Sequence, residues 1–235
     1  MVKLGNILFH NRNWLFPLFY IILFIPSPEV FNNPVTAMII GFGVALLGQI
    51  IRVITIGLVY IIRGGKNRRV YADTLVTTGI FSHCRNPLYV GNILILVGLG
   101  IASNSVIFMA IATPLFLFFY QAIVRAEENF LRNKFGEEFD AYCSRVHRWI
   151  PSLKGIGKTL ESMTFKWKRV IIREYTSTYI WLTGAVLIVM KHFYNHEERF
   201  DFQQNLNYFI VILIVLGVLY LFTRWLKKSK RLVSD

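Results

Sequence analysis

The sequence predicts an all-helical, polytopic membrane protein. It is expected to have about six transmembrane helices and a cytoplasmic interfacial helix after the fourth. Three observations lead there. The 235 residues are 54% hydrophobic, with a mean hydropathy of +0.48, too apolar for an ordinary soluble domain. The apolar residues gather in runs at about 13–27, 34–62, 87–103, 105–124, 175–193 and 206–226. The segments outside those runs alternate between basic and neutral or acidic.

That alternation sets the orientation. Lys3 and Arg12 precede the first run, and the 28–34 connection carries no lysine or arginine. Arg63, Lys66, Arg68, Arg69 and Arg85 follow the second run. The turn at 102–105 is Ala-Ser-Asn-Ser, 125–173 is rich in lysine and arginine, and 194–205 sets Arg199 against Glu197, Glu198 and Asp201. Lys227, Lys228, Lys230 and Arg231 end the chain. Both termini are therefore expected in the cytoplasm. The membrane would be a bacterial inner membrane or the endoplasmic reticulum, according to the organism. The first run lacks a small-residue cleavage site and reads as a retained span.

The net charge of +13 is explained by cytoplasmic loops on anionic lipid, and no nucleic-acid module pattern accompanies it. Membrane lipids are the expected partners. Cys84 and Cys143 make no disulfide framework and no metal-ligand spacing.

In chain order, Pro17, Pro26 and Pro28 make the first span irregular. Arg52 cuts the second, and a central arginine must face protein or a wet cavity. Gly41, Ala45 and Gly48 give that helix a face for close packing. Asn86-Pro87 marks the start of the third helix, either as a plain cap or as an anion-binding terminus beside Arg85. Spans three and four form a tight hairpin around Asn104, which brings Arg85–Gly91 beside Arg125–Leu131. From Ala126 to Tyr142 an interfacial helix is expected, with Gly136 as a break. Val146 to Pro151 reads as an aromatic return to the membrane, and 152–170 as a basic linker on lipid.

Glu127 and Glu128 are either solvated helix charges or, beside Arg85, part of a site. Gly98-Leu99-Gly100 lacks a dinucleotide fingerprint and Gly64-Gly65-Lys66 the phosphate-loop spacing. His192 and His196 are four apart, without a third ligand in view, so no metal site is expected.

The residues Asp73 to Phe81, Arg85-Asn86-Pro87-Leu88-Tyr89-Val90-Gly91, Glu127-Glu128, Leu131, Phe135-Gly136, Phe139, Tyr142 and Pro151 occur in an order and spacing that resemble the integral-membrane methyltransferases. These include isoprenylcysteine carboxyl methyltransferase and the phospholipid N-methyltransferases. The resemblance covers about residues 36–153. It divides the chain into an N-terminal span (1–35), a methyltransferase core (36–153), a basic linker (154–174) and an additional hairpin with a basic tail (175–235).

The resemblance implies methyl transfer from S-adenosylmethionine to a lipid-like or prenylated acceptor at the cytoplasmic membrane face. Arg85, Asn86, Pro87 and Tyr89 would line the cofactor pocket, with Asp73, Leu75, Val76 and Gly79 alongside. Glu127, Glu128 and Leu131 would complete it. Tyr89 or Glu128 would take a proton from an amine acceptor, and Arg125 or Arg148 would hold an anionic part of it. The sequence departs from the carboxyl methyltransferases at Asn86, where they carry histidine, at Asp73, and at Ile123, where an acceptor-steering arginine would fall. Sterol and steroid reductases share a similar third-helix motif and would bind NADPH in the same region. A non-catalytic membrane protein is the third reading.

Overall fold

The computed structural model describes residues 1–59, 72–229 and 231–232. The basic cluster Arg63 to Arg69, Gly64-Gly65 and Lys230 lie outside them. Among the described residues there are helices and turns but no strand; Glu29 and Ser105 form an isolated antiparallel bridge.

Helix α1 runs Val2–Ile22, earlier than the apolar run at 13–27. Leu8 and Phe9 explain the early start: they are buried against Ala122 and Ile123. The helix stops before Pro26, as proline's missing N–H and its clash with the preceding turn require. Helix α2, Pro34–Leu58, is capped by Asn33, whose side chain accepts from Val35 N at 3.0 Å. Helix α3 is Pro87–Ala102.

Helices α2 and α3 pack backbone to backbone. A Cβ on Gly41 would strike Ala102, one on Gly48 would lie 2.6 Å from Gly91 O, and one on Gly98 would strike Ala45. The small-residue face expected of α2 is therefore matched by a second on α3.

Asn104 turns the chain between α3 and the next helix at φ 56°, a left-handed conformation that asparagine tolerates. Its side chain accepts from Val30 N and Phe31 N and donates to Phe31 O. The turn is thereby stitched to the α1–α2 connection. A π-helical turn, Phe108–Ala112, leads into α4, Thr113–Phe135.

No new helix starts at Ala126, in contrast to the interfacial helix expected there. Helix α4 runs unbroken to Gly136, whose φ of +52° ends it, and α5, Glu137–Arg145, follows. The cause is burial of Ala126 and Glu128, which keeps the helix attached to the bundle past its apolar part. Helix α6 is Ile156–Glu161.

Helix α7, Trp167–Asn195, begins inside the segment expected to be a linker. Its charged first turns hide a buried face, since Arg169, Val170, Ile172 and Glu174 are buried. Helix α8, Phe202–Lys228, buries only Phe209 and packs along α7 through Tyr220 on Tyr175 and Tyr179. Among the described residues three helical stretches, Pro34–Leu58, Phe108–Phe135 and Phe202–Lys228, are long and apolar enough to cross a membrane, and Pro87–Ala102 is a shorter apolar helix.

Candidate active site

The site lies where α3 begins and α4 approaches its end. Segments 83–86 and 147–152 clasp each other there. Arg85 N donates to His147 O at 3.0 Å and Ser152 N to His83 O at 2.9 Å. The His83 ring lies 2.7 Å from Ser152 O through Nδ1 and 2.9 Å from Thr159 Oγ1 through Nε2. A carbonyl only accepts, so Nδ1 carries a proton. Asn86 does not cap α3 with its side chain; Nδ2 donates to Arg148 O at 3.2 Å. Val146 to Pro151, expected as a return to the membrane, takes part in this clasp, with Trp149 Nε1 donating to Gln121 Oε1 at 3.1 Å.

The clasp places Arg148 opposite Arg85 with Glu128 between them. Arg148 donates to Glu128 through Nε (2.9 Å) and Nη2 (2.5 Å), a bidentate pair. Arg85 Nη1 lies 3.0 Å from Glu128 Oε1 and 2.7 Å from Cys143 Sγ. Two guanidiniums on one buried carboxylate leave a net positive charge. Arg85 Nε is buried and has no hydrogen-bond partner. Such an orphaned donor costs free energy unless a ligand meets it. Burial pushes the Cys84 and Cys143 thiols up, against the pull of Arg85, and pushes the Tyr142 phenol up. None of the three is poised as an anionic nucleophile.

One turn into α3, Tyr89 donates its hydroxyl to Glu127 Oε1 at 2.7 Å. The two neighbouring glutamates thus face different partners. Glu127, unlike Glu128, lines a cavity of about 1110 Å³. Arg85, Asn86, Pro87, Tyr89 and Leu131 line it as well. Apolar and aromatic residues also line it, with Phe16, Pro17 and Tyr20 from α1, Ile95 and Phe116 from the α3–α4 hairpin, and Ile180 and Leu187 from α7.

Of the expected site residues, Arg85, Asn86, Pro87, Tyr89, Glu127 and Leu131 share this cavity, and Glu128 sits behind it with the two arginines. The juxtaposition of Arg85–Gly91 with Arg125–Leu131, expected from the hairpin, is present. Among the described residues Ala72 lines the cavity, whereas Asp73, Leu75, Val76 and Gly79 do not. Leu75 packs with Leu131 against Phe139, Tyr142 and Val146. Gly79, at φ +62°, opens a 3-10 turn over Met163. Asp73 is exposed. Arg125, expected to hold the acceptor, is exposed on α4 and off the cavity wall, because its neighbours Val124 and Ala126 take the buried face. Ile123 does line the cavity.

Sequence reasoning overlooked Arg12 and Asn13, which reach the cavity from α1, and Thr176 and Ser177 from α7. It also left Arg52 without a partner. Arg52 is buried and grips Glu174 through Nε (2.9 Å) and Nη2 (2.7 Å), with Ser177 Oγ at 3.1 Å. It also donates to Asn92, which donates to Tyr120 OH at 2.7 Å.

No solved structure matches the chain. Two curated proteins are similar to part of it. The nickel-cobalt-cadmium resistance protein NccN of Alcaligenes xylosoxydans xylosoxydans is 43% identical over 79 residues, 34% of this chain and 37% of that protein. The cobalt-zinc-cadmium resistance protein CzcN of Cupriavidus metallidurans is 40% identical over 92 residues, 39% of this chain and 40% of that protein. The matches thus span about two-fifths of the length of these relatives. Residues 35–138 match the family model of phospholipid methyltransferase, close to the 36–153 expected from the motifs. That match gives no support to the reductase reading. The match takes in α2, α3, α4 and both glutamates of the candidate site, so that this part of the chain is similar to the phospholipid methyltransferases.

Proposed function

We propose that the chain transfers a methyl group from S-adenosylmethionine to a lipid-like or prenylated acceptor at the cytoplasmic membrane face. The observation that carries this reading is the polar end of the cavity. A buried arginine with an orphaned donor, a carboxylate held by Tyr89 and a helix N-terminus converge there, and much of the remaining wall is aromatic and aliphatic, with polar groups such as Arg12, Asn13, Thr176 and Ser177 among it. The donor set fits the cofactor. The excess positive charge of Arg85 and Arg148 over Glu128 suits its carboxylate, and Glu127 suits its ammonium or ribose hydroxyls. When bound, the cofactor supplies a methyl group already activated on a sulfonium.

The protein's own work is then positioning and exclusion of water. Glu128 fixes the two arginines, Arg85 lines the cavity with its Nε unpaired, and Tyr89 orients Glu127. An anionic acceptor needs no base. An amine acceptor would pass its proton to Glu127, within reach of the cavity, in place of the buried Glu128. The apolar walls between α1 and α7 suit the acceptor's hydrocarbon part. Six spans, with both termini in the cytoplasm and α5 at the interface, complete the proposal. The 36–153 core borrows cavity walls from α1 and α7 on either side of it. The resistance names of the two relatives suggest that the activity serves cells exposed to divalent transition metals.

The test is thermal stabilisation of the detergent-purified protein by S-adenosylhomocysteine, with NADPH alongside. A ligand at about 100 times its dissociation constant adds roughly 2.7 kcal/mol to the native state. A shift with S-adenosylhomocysteine alone supports methyl transfer. A shift with NADPH alone, or with neither, refutes it.

A further inference from the structure

At the end of the bundle opposite Arg85, the structure supplies a third candidate ligand for the His192–His196 pair. Glu29 lies in the α1–α2 connection, and one ligand atom from each of Glu29, His192 and His196 lies within 4.8 Å of the others. His196 Nε2 is 2.9 Å from Glu29 Oε1. We propose that Glu29, His192 and His196 form a binding site for a single divalent transition cation of the zinc or cobalt type.

Three features carry the proposal. The first is the state of the buried imidazole. His192 is 2% exposed, and its Nε2 lies 2.7 Å from Ala102 O. The carbonyl can only accept, so Nε2 holds the proton and Nδ1 keeps the lone pair. A metal-ligating histidine is typically fixed in this way, donating its other nitrogen to a backbone carbonyl.

The second is rigidity. Glu29 bridges to Ser105, the next residue's N–H is held by Asn104 Oδ1 at 3.1 Å, and Val106 N donates to Pro28 O at 3.0 Å. His196 is anchored at the end of α7 by its own N–H to His192 O at 3.0 Å. The ligands thus come from pinned backbone on two separate parts of the chain.

The third is the donor set. Two imidazoles and one carboxylate, with the fourth position open, suit zinc and its neighbours better than calcium or magnesium. Bonds of about 2.0–2.1 Å place tetrahedral ligands about 3.3 Å apart. Glu29 and His196 are near that spacing already, and a side-chain adjustment on the order of 1–2 Å brings in His192.

A cation would take the place of the direct contact between His196 and Glu29. Lys191 is the neighbouring positive charge. Its ammonium donates to Leu23 O at 3.1 Å and Ser103 O at 3.2 Å, which draws it toward carbonyls; its charge lowers the affinity without occupying the site.

The experiment uses the full chain in detergent, purified without a histidine tag and stripped with chelator. Zinc is titrated in equilibrium dialysis, and cobalt is followed by its visible absorption. One equivalent per chain is expected, with the cobalt spectrum of low coordination number. Glu29→Gln and His196→Ala are both on part-exposed side chains and are expected to fold. Each should weaken binding by more than about tenfold, since even loss of an outer-shell partner costs about 10–100-fold. His192→Ala risks the fold, so the other two variants decide the outcome. No retained metal, or affinity unchanged in both variants, overturns the proposal. S-adenosylhomocysteine binding, scored on the same samples, is expected to be unaffected, so the result is independent of the methyl-transfer site.

Discussion

Two carboxylates among the described residues, Glu174 and Glu128, are buried against arginine, and they are built differently. Glu174 takes two donors from Arg52 with side-chain exposures of 3% and 2%, and Arg52 also meets Asn92 and Ser177. Glu128 takes three arginine contacts, yet Arg85 and Arg148 keep 14% and 28% exposure, and one Arg85 nitrogen is left over. A closed network fixes helices. The other leaves a donor to spare on Arg85, although Arg52 and Ser177 of the closed network line the same cavity. The comparison separates scaffold from site more sharply than burial alone, because both carboxylates are buried.

The largest effect should come from the closed pair. Glu174→Ala strands a buried guanidinium and should destabilise the protein by about 3–5 kcal/mol, measured as thermal unfolding in detergent. Arg52→Met with Glu174→Leu should recover most of that loss, since an apolar pair of similar volume removes the uncompensated charge. Glu128→Gln should act on the other axis. It loses charge-assisted bonds of about 1.5–3 kcal/mol. We expect roughly 10–100-fold weaker S-adenosylhomocysteine binding by calorimetry, with a much smaller change in melting temperature. If Glu128→Gln unfolds the protein as readily as Glu174→Ala does, the two clusters are alike and the distinction fails.

Tyr89→Phe keeps the ring and removes the donor to Glu127. A loss of about 1 kcal/mol, or roughly fivefold in affinity, is expected. The smallest effect should be at Cys143. Burial raises its thiol above the usual range, so the thiolate is scarce at neutral pH and grows as pH rises through the raised value. Maleimide labelling should therefore continue to accelerate with pH after a free cysteine has levelled off.

The parts legible in the sequence were those with short-range or periodic causes. The glycine face of α2 follows from spacing, the α3 start from Asn86-Pro87, and the Arg85–Glu128 encounter from a hairpin turning at Asn104. The parts that were not legible depend on distant partners. Glu174 pairs with Arg52 across 122 positions, inside a segment whose Lys168, Arg169 and Arg173 conceal its apolar face. Arg148 reaches Glu128 through a loop with no periodic signal. Arg12 looked like a flank to the first span because the buried contacts of Leu8 and Phe9, which extend α1, come from α4. Glu29 was absent from the histidine pair for the same reason, since only the Asn104 stitching brings its loop to α7.

The adjacent glutamates on α4 have a genetic consequence. Successive helical residues differ by about 100° in direction, so neighbours in the reading frame serve different compartments of the site. A single-codon insertion upstream in α4 would hand the cavity Ala126 and turn Glu127 toward the arginines. A single-codon deletion would give the cavity Glu128 and leave the arginines facing Asn129. Point substitutions can erode this site one contact at a time, whereas a one-residue change in length anywhere between the Asn104 turn and Glu127 would reassign both carboxylates at once.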